Sequence, residues 1–341
     1  MMLLLPDQAL ESIGNHIHQA RVLAKTSTED NPSHHQEIDS ALTLLEQLVQ
    51  QSYDCYTTIE LSDGQEMHDD AEDSETRVTQ DHIGQANRIA SAFLVKIVSG
   101  EMGWDDEQVE RAARLLAHLS GRGAAGAITR TWHIAYLDPN GVRDEIAIQL
   151  HEPSYVGNDI GFKTWGAAPL LAKRLVQQQL IPDLANRRVI ELGTGTGLVG
   201  LVCGKLGVDD LTLTDYHPSV LTNVAKNVEL NGSGASVAAL DFIKVSRGED
   251  TTWDGKRFDI VIASDLLYEM EHAEHLPVAI DKLMENEFHF MIPLRPTHTE
   301  EVALFESKMQ SLGFVTQCTD ETEKLEDEGR VRYRYYHYTR A

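Results

Sequence analysis

Apolar residues in the first third of the chain recur at the spacing of an α-helix. They stand three or four positions apart, which places them on one side of a helix. A helix is also predicted over about 105–119, because Asp105 and Asp106 place negative charge in its first turn. The pattern predicts a helical N-terminal region. The two clearest runs are Ile38, Ala41, Leu42, Leu45, Leu48, Val49 and Ile83, Ala86, Ile89, Ala90, Phe93, Ile97.

The pattern changes at a glycine-rich boundary around 121–126. The next two runs, 128–136 and 145–151, alternate apolar and polar residues around Asp138-Pro139-Asn140-Gly141, which is typical of a β-hairpin. We therefore expect two regions, a helical one over 1–125 and a second one over 126–341 that opens with this hairpin.

Beyond Trp165, short apolar runs alternate with segments of helical period. This alternation predicts an α/β fold, in which a parallel sheet carries helices on both faces. A further helix over 299–311 leads into runs 314–318 and 330–338, which we expect to pair as antiparallel strands. The predicted strands of the parallel part are 188–192, 211–215, 236–241, 258–264 and 288–292, and the predicted helices are 167–179, 198–206, 218–230 and 273–285.

The net charge of the chain limits the kinds of molecule that it is expected to bind. The 341 residues include 54 Asp plus Glu against 29 Lys plus Arg, a net charge of −25 that argues against general nucleic-acid binding and against anionic membranes. Residues 1–125 hold 22 acidic and 8 basic residues, with acids concentrated in segment 60–82. We predict that this segment is flexible, either as a solvated loop or as a contact for a basic partner.

Cysteine, histidine and apolar usage point to a cytoplasmic, or alternatively a nuclear, protein without a metal. The three cysteines are far apart and odd in number, as in a reducing compartment, and no apolar run is long enough to span a bilayer. The start of the chain lacks the basic segment of a signal peptide. The histidine pairs have no companions at metal-ligand spacing, so we expect them on the surface: His16/His18, His34/His35 and His272/His275.

The most informative motif is a strand followed by a glycine-rich turn and a helix, over 189–198. Glycines there let backbone N–H groups approach a ligand at the start of the helix. Residues 195–200 match a dinucleotide-binding pattern, but Glu191 would repel a pyrophosphate and could receive the amino group of an amino-acid-like cofactor. The candidate cofactor residues of this motif are Glu191, Gly193, Thr194, Gly195 and Gly197.

Further candidates stand at neighbouring strand ends. Asp215 could accept two ribose hydroxyls, as an equivalent acid does in dinucleotide folds too. Asp241 could accept from an adenine amino group while Phe242 packs on the ring. Trp165 could form an apolar wall over the same pocket, although Trp165 and Phe242 could equally be core residues.

These motifs resemble those of seven-strand S-adenosylmethionine-dependent methyltransferases. More narrowly, Trp165-Gly166-Ala167-Ala168 and Ser264-Asp265-Leu266-Leu267-Tyr268-Glu269 resemble the family-sixteen protein-lysine methyltransferases. The resemblance covers about 127–341 and departs at Phe242, where the family often has tryptophan. It implies S-adenosylmethionine as cofactor, Ser264 among the residues that bind it, and a protein substrate. Similar N-terminal extensions occur in members that act on elongation factor 2, which is therefore the expected substrate.

The resemblance also implies a catalytic pair, Asp265 and Tyr268. The enzyme must mainly align an amine with a methyl group that is already activated. Asp265 can hydrogen-bond that amine, and Tyr268 can offer its π face. Alternatively, Asp265 is a helix N-cap and Tyr268 belongs to the core.

Other functions remain open on the same fold. Nucleic-acid amino methyltransferases commonly carry two prolines where this chain has Leu266 and Leu267. Segment 330–336 interleaves basic and aromatic residues, but an ordinary terminal strand gives the same alternation. The alternatives are methylation of RNA or of a small molecule, and a non-catalytic module that docks a partner through its acidic extension.

Overall fold

A computed structural model describes residues 4–26, 31–60, 66–67, 76–100, 105–121, 123–154, 161, 163–326 and 329–341. Their contacts divide the chain into two units, 1–131 with 153–157 and 132–152 with 158–341. Most of the segment predicted to be flexible, 61–65 and 68–75, lies outside the described residues. Within the described part, no helix is both long enough and apolar enough to cross a membrane.

In the described residues, the first unit has four amphipathic helices around an apolar core. Helices form over the predicted periodic runs, and side-chain caps at Asn31, Thr79 and Asp105 begin three of them. The first helix was not predicted, although its buried residues, such as Ile13 and Ile17, follow the same period. The helices are α1 Pro6–Thr26, α2 Pro32–Gln51, α3 Gln80–Val98 and α4 Asp106–Leu119, with short strands β1 Cys55–Tyr56, β2 Ile59–Glu60 and β3 Glu66–Met67.

The predicted hairpin is present and its turn is held by one carboxylate. Asp138 Oδ1 accepts hydrogen bonds from the N–H groups of Asn140 and Val142, at 2.8 Å each. This Asx turn joins strand β4, Ile128–Leu137, to strand β5, Arg143–Glu152.

The second unit contains the predicted α/β fold, a seven-stranded sheet in the order β11-β12-β10-β9-β6-β7-β8. The sheet is parallel from β8 to β10, and β12 and β11 then pair antiparallel. Its strands are β6 Val189–Leu192, β7 Leu211–Asp215, β8 Ser236–Ala239, β9 Phe258–Ser264, β10 Met284–Pro293, β11 Phe314–Glu326 and β12 Gly329–Arg340. Its helices are α5 Ala167–Gln177, α6 Leu198–Lys205, α7 Pro218–Leu230, α8 Phe242–Arg247, α9 Met270–Leu283 and α10 Thr299–Ser311.

The strands and helices differ from their predicted bounds in informative places. Strand β8 ends at Ala239, because Asp241 leaves the strand to cap the helix α8. Strand β11 continues far beyond residue 318, because β12 pairs with it up to Glu326 although its side chains are mostly exposed.

The interleaved bases and aromatics near the C-terminus belong to strand β12, as the strand interpretation predicted. Its tyrosines, for example Tyr336 and Tyr338, are buried in the core. Arg334 donates to Glu321 at 2.6 Å and to Glu306 at 2.9 Å, so its charge is paired within the sheet and helix α10. The segment is therefore a regular strand of the sheet, and Arg330 and Arg332 pair with Glu323 and Glu321 of β11 at 3.7 and 3.5 Å.

Candidate active site

The turn between β6 and α6 has a backbone that requires glycine. Gly193, Gly195 and Gly197 have φ angles of +60°, +54° and +90°. A Cβ on Gly193 would lie 2.1 Å from Leu266 Cδ2, whereas a Cβ on Gly195 would meet no described heavy atom within 4 Å. The loop therefore packs closely on one side and leaves room for a ligand beside Gly195.

Glu191 lies beneath this loop with a side chain that is 1% exposed. Its Oε2 accepts hydrogen bonds from Thr194 Oγ1 at 2.5 Å and from the Gly200 N–H at 3.1 Å. Burial raises the pKa of Glu191 to about 7, although both hydrogen bonds oppose the rise. Glu191 and Thr194 thus shape the loop, and their contact with a cofactor stays a prediction.

Asp215 stands at the carboxyl end of β7, next to the same loop. Its Oδ1 accepts from the His217 N–H at 3.1 Å, and its Oδ2 accepts from the Gly195 N–H at 3.4 Å. Burial raises the pKa of this carboxyl group. The structure therefore brings Asp215 and Gly195 together, as the predicted site requires.

Asp241 and Phe242 lie where the chain leaves β8. Asp241 Oδ1 accepts from the N–H groups of Ile243 and Lys244, at 3.0 and 3.3 Å, and thereby caps α8. Phe242 is buried in the core, with its ring edge-to-face against His272 at 5.3 Å between centroids. Phe242 thus lies in the core cluster, and the adenine contacts of both residues stay predictions.

Asp265 follows Ser264, the last residue of β9, and has a left-handed backbone with φ of +59°. This conformation is rare outside glycine and is held because the Asp265 N–H donates to Met291 O at 3.0 Å. Asp265 Oδ2 accepts from the Ala167 N–H at 3.3 Å, at the start of α5. Burial raises the pKa of Asp265, against the Ala167 hydrogen bond and the charges of Arg295 and Lys163.

Unlike Phe242, the predicted aromatic residues Trp165 and Tyr268 are exposed rather than buried in the core. Tyr268 is 40% exposed and Trp165 is 39% exposed. The ring of Tyr268 packs edge-to-face on His272, with 4.4 Å between the ring centroids. Burial raises the pKa of the Tyr268 hydroxyl to about 12. Lys163 Nζ lies 4.2 Å from the centre of the Trp165 ring.

Several residues of this region were not found from the sequence. His272, predicted on the surface, is buried between Phe242 and Tyr268, and His34 of the first unit is buried too. A Cβ on Gly166 would lie 2.1 Å from Tyr333 Oη, so the end of the β11–β12 hairpin packs against the Trp165-Gly166 turn. This contact joins segments that are far apart in the sequence, so no local sequence pattern could predict it.

The chemistry of these groups fits S-adenosylmethionine. The space beside Gly195 admits a ligand next to main-chain N–H groups, and Asp215 presents a carboxylate there for ribose hydroxyls. Asp265 presents a second carboxylate at the end of β9, on the other side of β6, three residues before the exposed Tyr268. A methyl donor and an amine could therefore meet at this edge of the sheet.

Comparison with known proteins identifies the family. A family model described as lysine methyltransferase matches residues 142–311. The protein-lysine N-methyltransferase rrg1 of Schizosaccharomyces pombe is 32% identical over 257 residues, which cover 69% of this chain and 79% of rrg1. The chain therefore belongs to the lysine methyltransferase family, and the predicted S-adenosylmethionine-dependent enzyme is confirmed.

Two further relatives cover less of their own length. Protein-lysine N-methyltransferase EFM2 of Saccharomyces cerevisiae is 27% identical, with 71% of this chain and 62% of EFM2 covered. Protein-lysine N-methyltransferase EEF2KMT of Mus musculus is 27% identical, with 60% of this chain and 61% of EEF2KMT covered.

Proposed function

We propose that this member of the lysine methyltransferase family methylates a lysine of elongation factor 2, with Asp265 and Tyr268 as its catalytic residues. The observation that carries the proposal is the fixed carboxylate of Asp265. Its Oδ2 is held by the Ala167 N–H, while its Oδ1 has no hydrogen bond to any residue in the described ranges. That oxygen is available to accept a hydrogen bond from the amine of a substrate.

The amine must lose a proton before it can react. For a lysine of pKa about 10.4, deprotonation at pH 7 costs about 4.6 kcal/mol. Asp265 accepts from the amine and turns its lone pair toward the methyl group, while the exposed ring of Tyr268 covers the apolar stem of the lysine. Proton release to water then suffices, and neither side chain has to be a strong base.

The cofactor would be held by the loop and the strand ends. S-adenosylmethionine, when bound, supplies a methyl group on a sulfonium that needs no further activation. Asp215 would accept ribose hydroxyls, and Asp241 and Ser264 complete the proposed set. Glu191 would act on the cofactor indirectly. It accepts hydrogen bonds from Thr194 and Gly200, and these bonds hold the loop in the shape that binds the cofactor.

The names of relatives and the charge of the chain support an elongation factor as substrate. EEF2KMT of mouse and the EEF1A lysine methyltransferase 3 of Xenopus tropicalis, which is 33% identical over 124 residues, are both similar to this chain. Such a substrate places the enzyme in the cytoplasm. We also propose that the acidic region 1–125 is a domain of its own beside the methyltransferase domain 126–341 and favours a basic face of the substrate.

The test is transfer of labelled methyl groups to purified elongation factor 2, with elongation factor 1A in parallel. The full chain is compared with Asp265→Asn and with Asp250→Asn, a matched variant whose carboxylate caps the short helix Thr251–Trp253. We expect label on a lysine of elongation factor 2, lost in Asp265→Asn and retained in Asp250→Asn. Label confined to another protein would overturn the substrate, and full transfer by Asp265→Asn would overturn the role of Asp265.

A further inference from the structure

Two histidines and one carboxylate meet on one face of the antiparallel part of the sheet, in positions that the methyl-transfer site does not use. His289 of β10 stands opposite His337 of β12, and Glu287 lies two residues before His289, hence on the same face. One ligand atom from each of the three side chains lies within 4.8 Å of the others. The three residues form what we call the β10–β12 cluster.

The distances within the β10–β12 cluster suit a small ion. Glu287 Oε2 lies 3.3 Å from His289 Nε2 and 2.9 Å from His337 Nε2. Nitrogen and oxygen ligands about 2.0–2.1 Å from a tetrahedral ion are about 3.3 Å apart. The rings of His289 and His337 stack at 4.5 Å between centroids with 17° between their planes, so both side chains would tilt toward Glu287 to share one ion.

Both imidazoles present nitrogens that lack hydrogen bonds. His289 is fully buried, and neither its Nε2 nor that of His337 makes an aligned hydrogen bond with a described residue, despite the nearby carboxylate. A buried polar atom without such a bond is uncommon in a folded protein. An ion that accepts lone pairs from both nitrogens would satisfy them.

The surroundings of His289 permit the ligating form of its ring. His289 Nδ1 lies 2.7 Å from Tyr335 Oη. When Nδ1 donates its proton to that oxygen, Nε2 is left with a lone pair that can bind an ion, as in metal sites where a second group orients the histidine. The side chains of Glu287 and His337 are each 22% exposed, which gives an ion a route from solvent.

We propose that Glu287, His289 and His337 bind one divalent transition-metal ion, with zinc as the first candidate and water as the remaining ligand. Two imidazoles and one carboxylate are typical ligands of zinc, whereas magnesium and calcium prefer oxygen ligands throughout. The ion would tie β10 to β12. Strand β10 also supplies Met291 O, which accepts from the Asp265 N–H, so the site would brace the strand beside the catalytic loop.

The test uses the full chain, stripped of metal with a chelator and titrated with Zn²⁺ in competition with a chromophoric indicator. We expect one ion per chain, and visible absorption of tetrahedral Co²⁺ when cobalt replaces zinc. Glu287→Gln and His337→Gln should each weaken binding by about 100-fold or more. These variants avoid removing the fully buried His289, and their circular dichroism and methyl transfer report whether they are folded.

His133→Ala is the matched control. His133 pairs with Glu145 at 2.7 Å on β4 and β5, away from the three residues of the β10–β12 cluster. We expect this variant to bind zinc as the parent does, and zinc to raise the melting temperature of both. Binding of less than one ion by the parent chain, or equal binding by Glu287→Gln and His337→Gln, would overturn the proposal.

Discussion

Two parts of the same sheet hold their polar side chains in different ways. At the carboxyl edge of the parallel strands, the carboxylates accept hydrogen bonds from main-chain N–H groups, as Asp215 does from Gly195 and Asp265 from Ala167. In the β10–β12 cluster, Glu287 faces imidazole side chains instead. Main-chain donors do not disappear when a side chain is substituted, so we expect the edge to keep its geometry in most variants and the cluster to respond to metal and to mutation.

The largest effect is expected from Asp265→Ala. This change removes the carboxylate and its hydrogen bond from the Ala167 N–H and adds the strain of alanine at a left-handed residue, so methyl transfer should fall by about 1,000-fold or more. Cofactor affinity should stay within about threefold of the parent, because the glycine loop does not depend on Asp265 for its hydrogen bonds. Single-turnover rates and calorimetric titration separate the two quantities, and a parallel loss of both would contradict the assignment.

Gly195→Arg should weaken cofactor binding and leave the Asp265 carboxylate unchanged. Its side chain would enter the space beside the loop, so we expect cofactor affinity to fall by about 100-fold or more. Gly195→Ala is the control for backbone strain alone, which costs about 1–2 kcal/mol at a left-handed residue. Equal cofactor affinities of the two variants would show that the space beside Gly195 is not the binding site.

Glu191→Gln should change how stability depends on pH. The pKa of Glu191 is about 7 in the folded chain against 4.5 in the reference state, so between these values the folded chain binds the extra proton. This carboxyl group therefore favours folding at low pH, and its contribution falls by about 3 kcal/mol as pH rises through that window. In denaturant unfolding, the free energy of unfolding should fall less between pH 5 and pH 7.5 in Glu191→Gln than in the parent chain. Equal falls in the two proteins would contradict this prediction.

The smallest effect is expected from Tyr335→Phe, in the cluster held by side chains. This change removes the phenol that faces His289 Nδ1, so the free energy of unfolding should fall by about 1–2 kcal/mol. Methyl transfer should be unchanged, because Tyr335 does not contact Asp265 among the described hydrogen bonds. A loss of transfer without a loss of stability would connect the cluster directly to catalysis.

Local patterns were sufficient to predict most of the fold and the edge of the site. The helical periods at 38–49 and 83–97, and the glycine turn after β6, each lie within one continuous segment. Asp215 and Asp265 could be placed because each directly ends an apolar strand. Their roles in binding and catalysis stay predictions.

Features that depend on register between distant segments could not be predicted. Glu287 and His337 are about 50 positions apart and meet through the pairing of β10 with β12. The length of β11 was missed because its exposed side chains show no alternation, while its main chain pairs along its whole length. Asp241 was expected at a strand end and instead caps a helix, since short polar residues serve both positions.

The contact of Gly193 with Leu266 has a kinetic consequence. The missing side chain at 193 lets Leu266 pack directly on the glycine turn, and Leu266 follows Asp265 in the chain. The turn proposed to hold the methyl donor and the loop proposed to hold the acceptor therefore cannot shift independently. We expect each reactant, once bound, to dissociate more slowly when the other is present, and Leu266→Ala to reduce this effect in titrations of one reactant with and without the other.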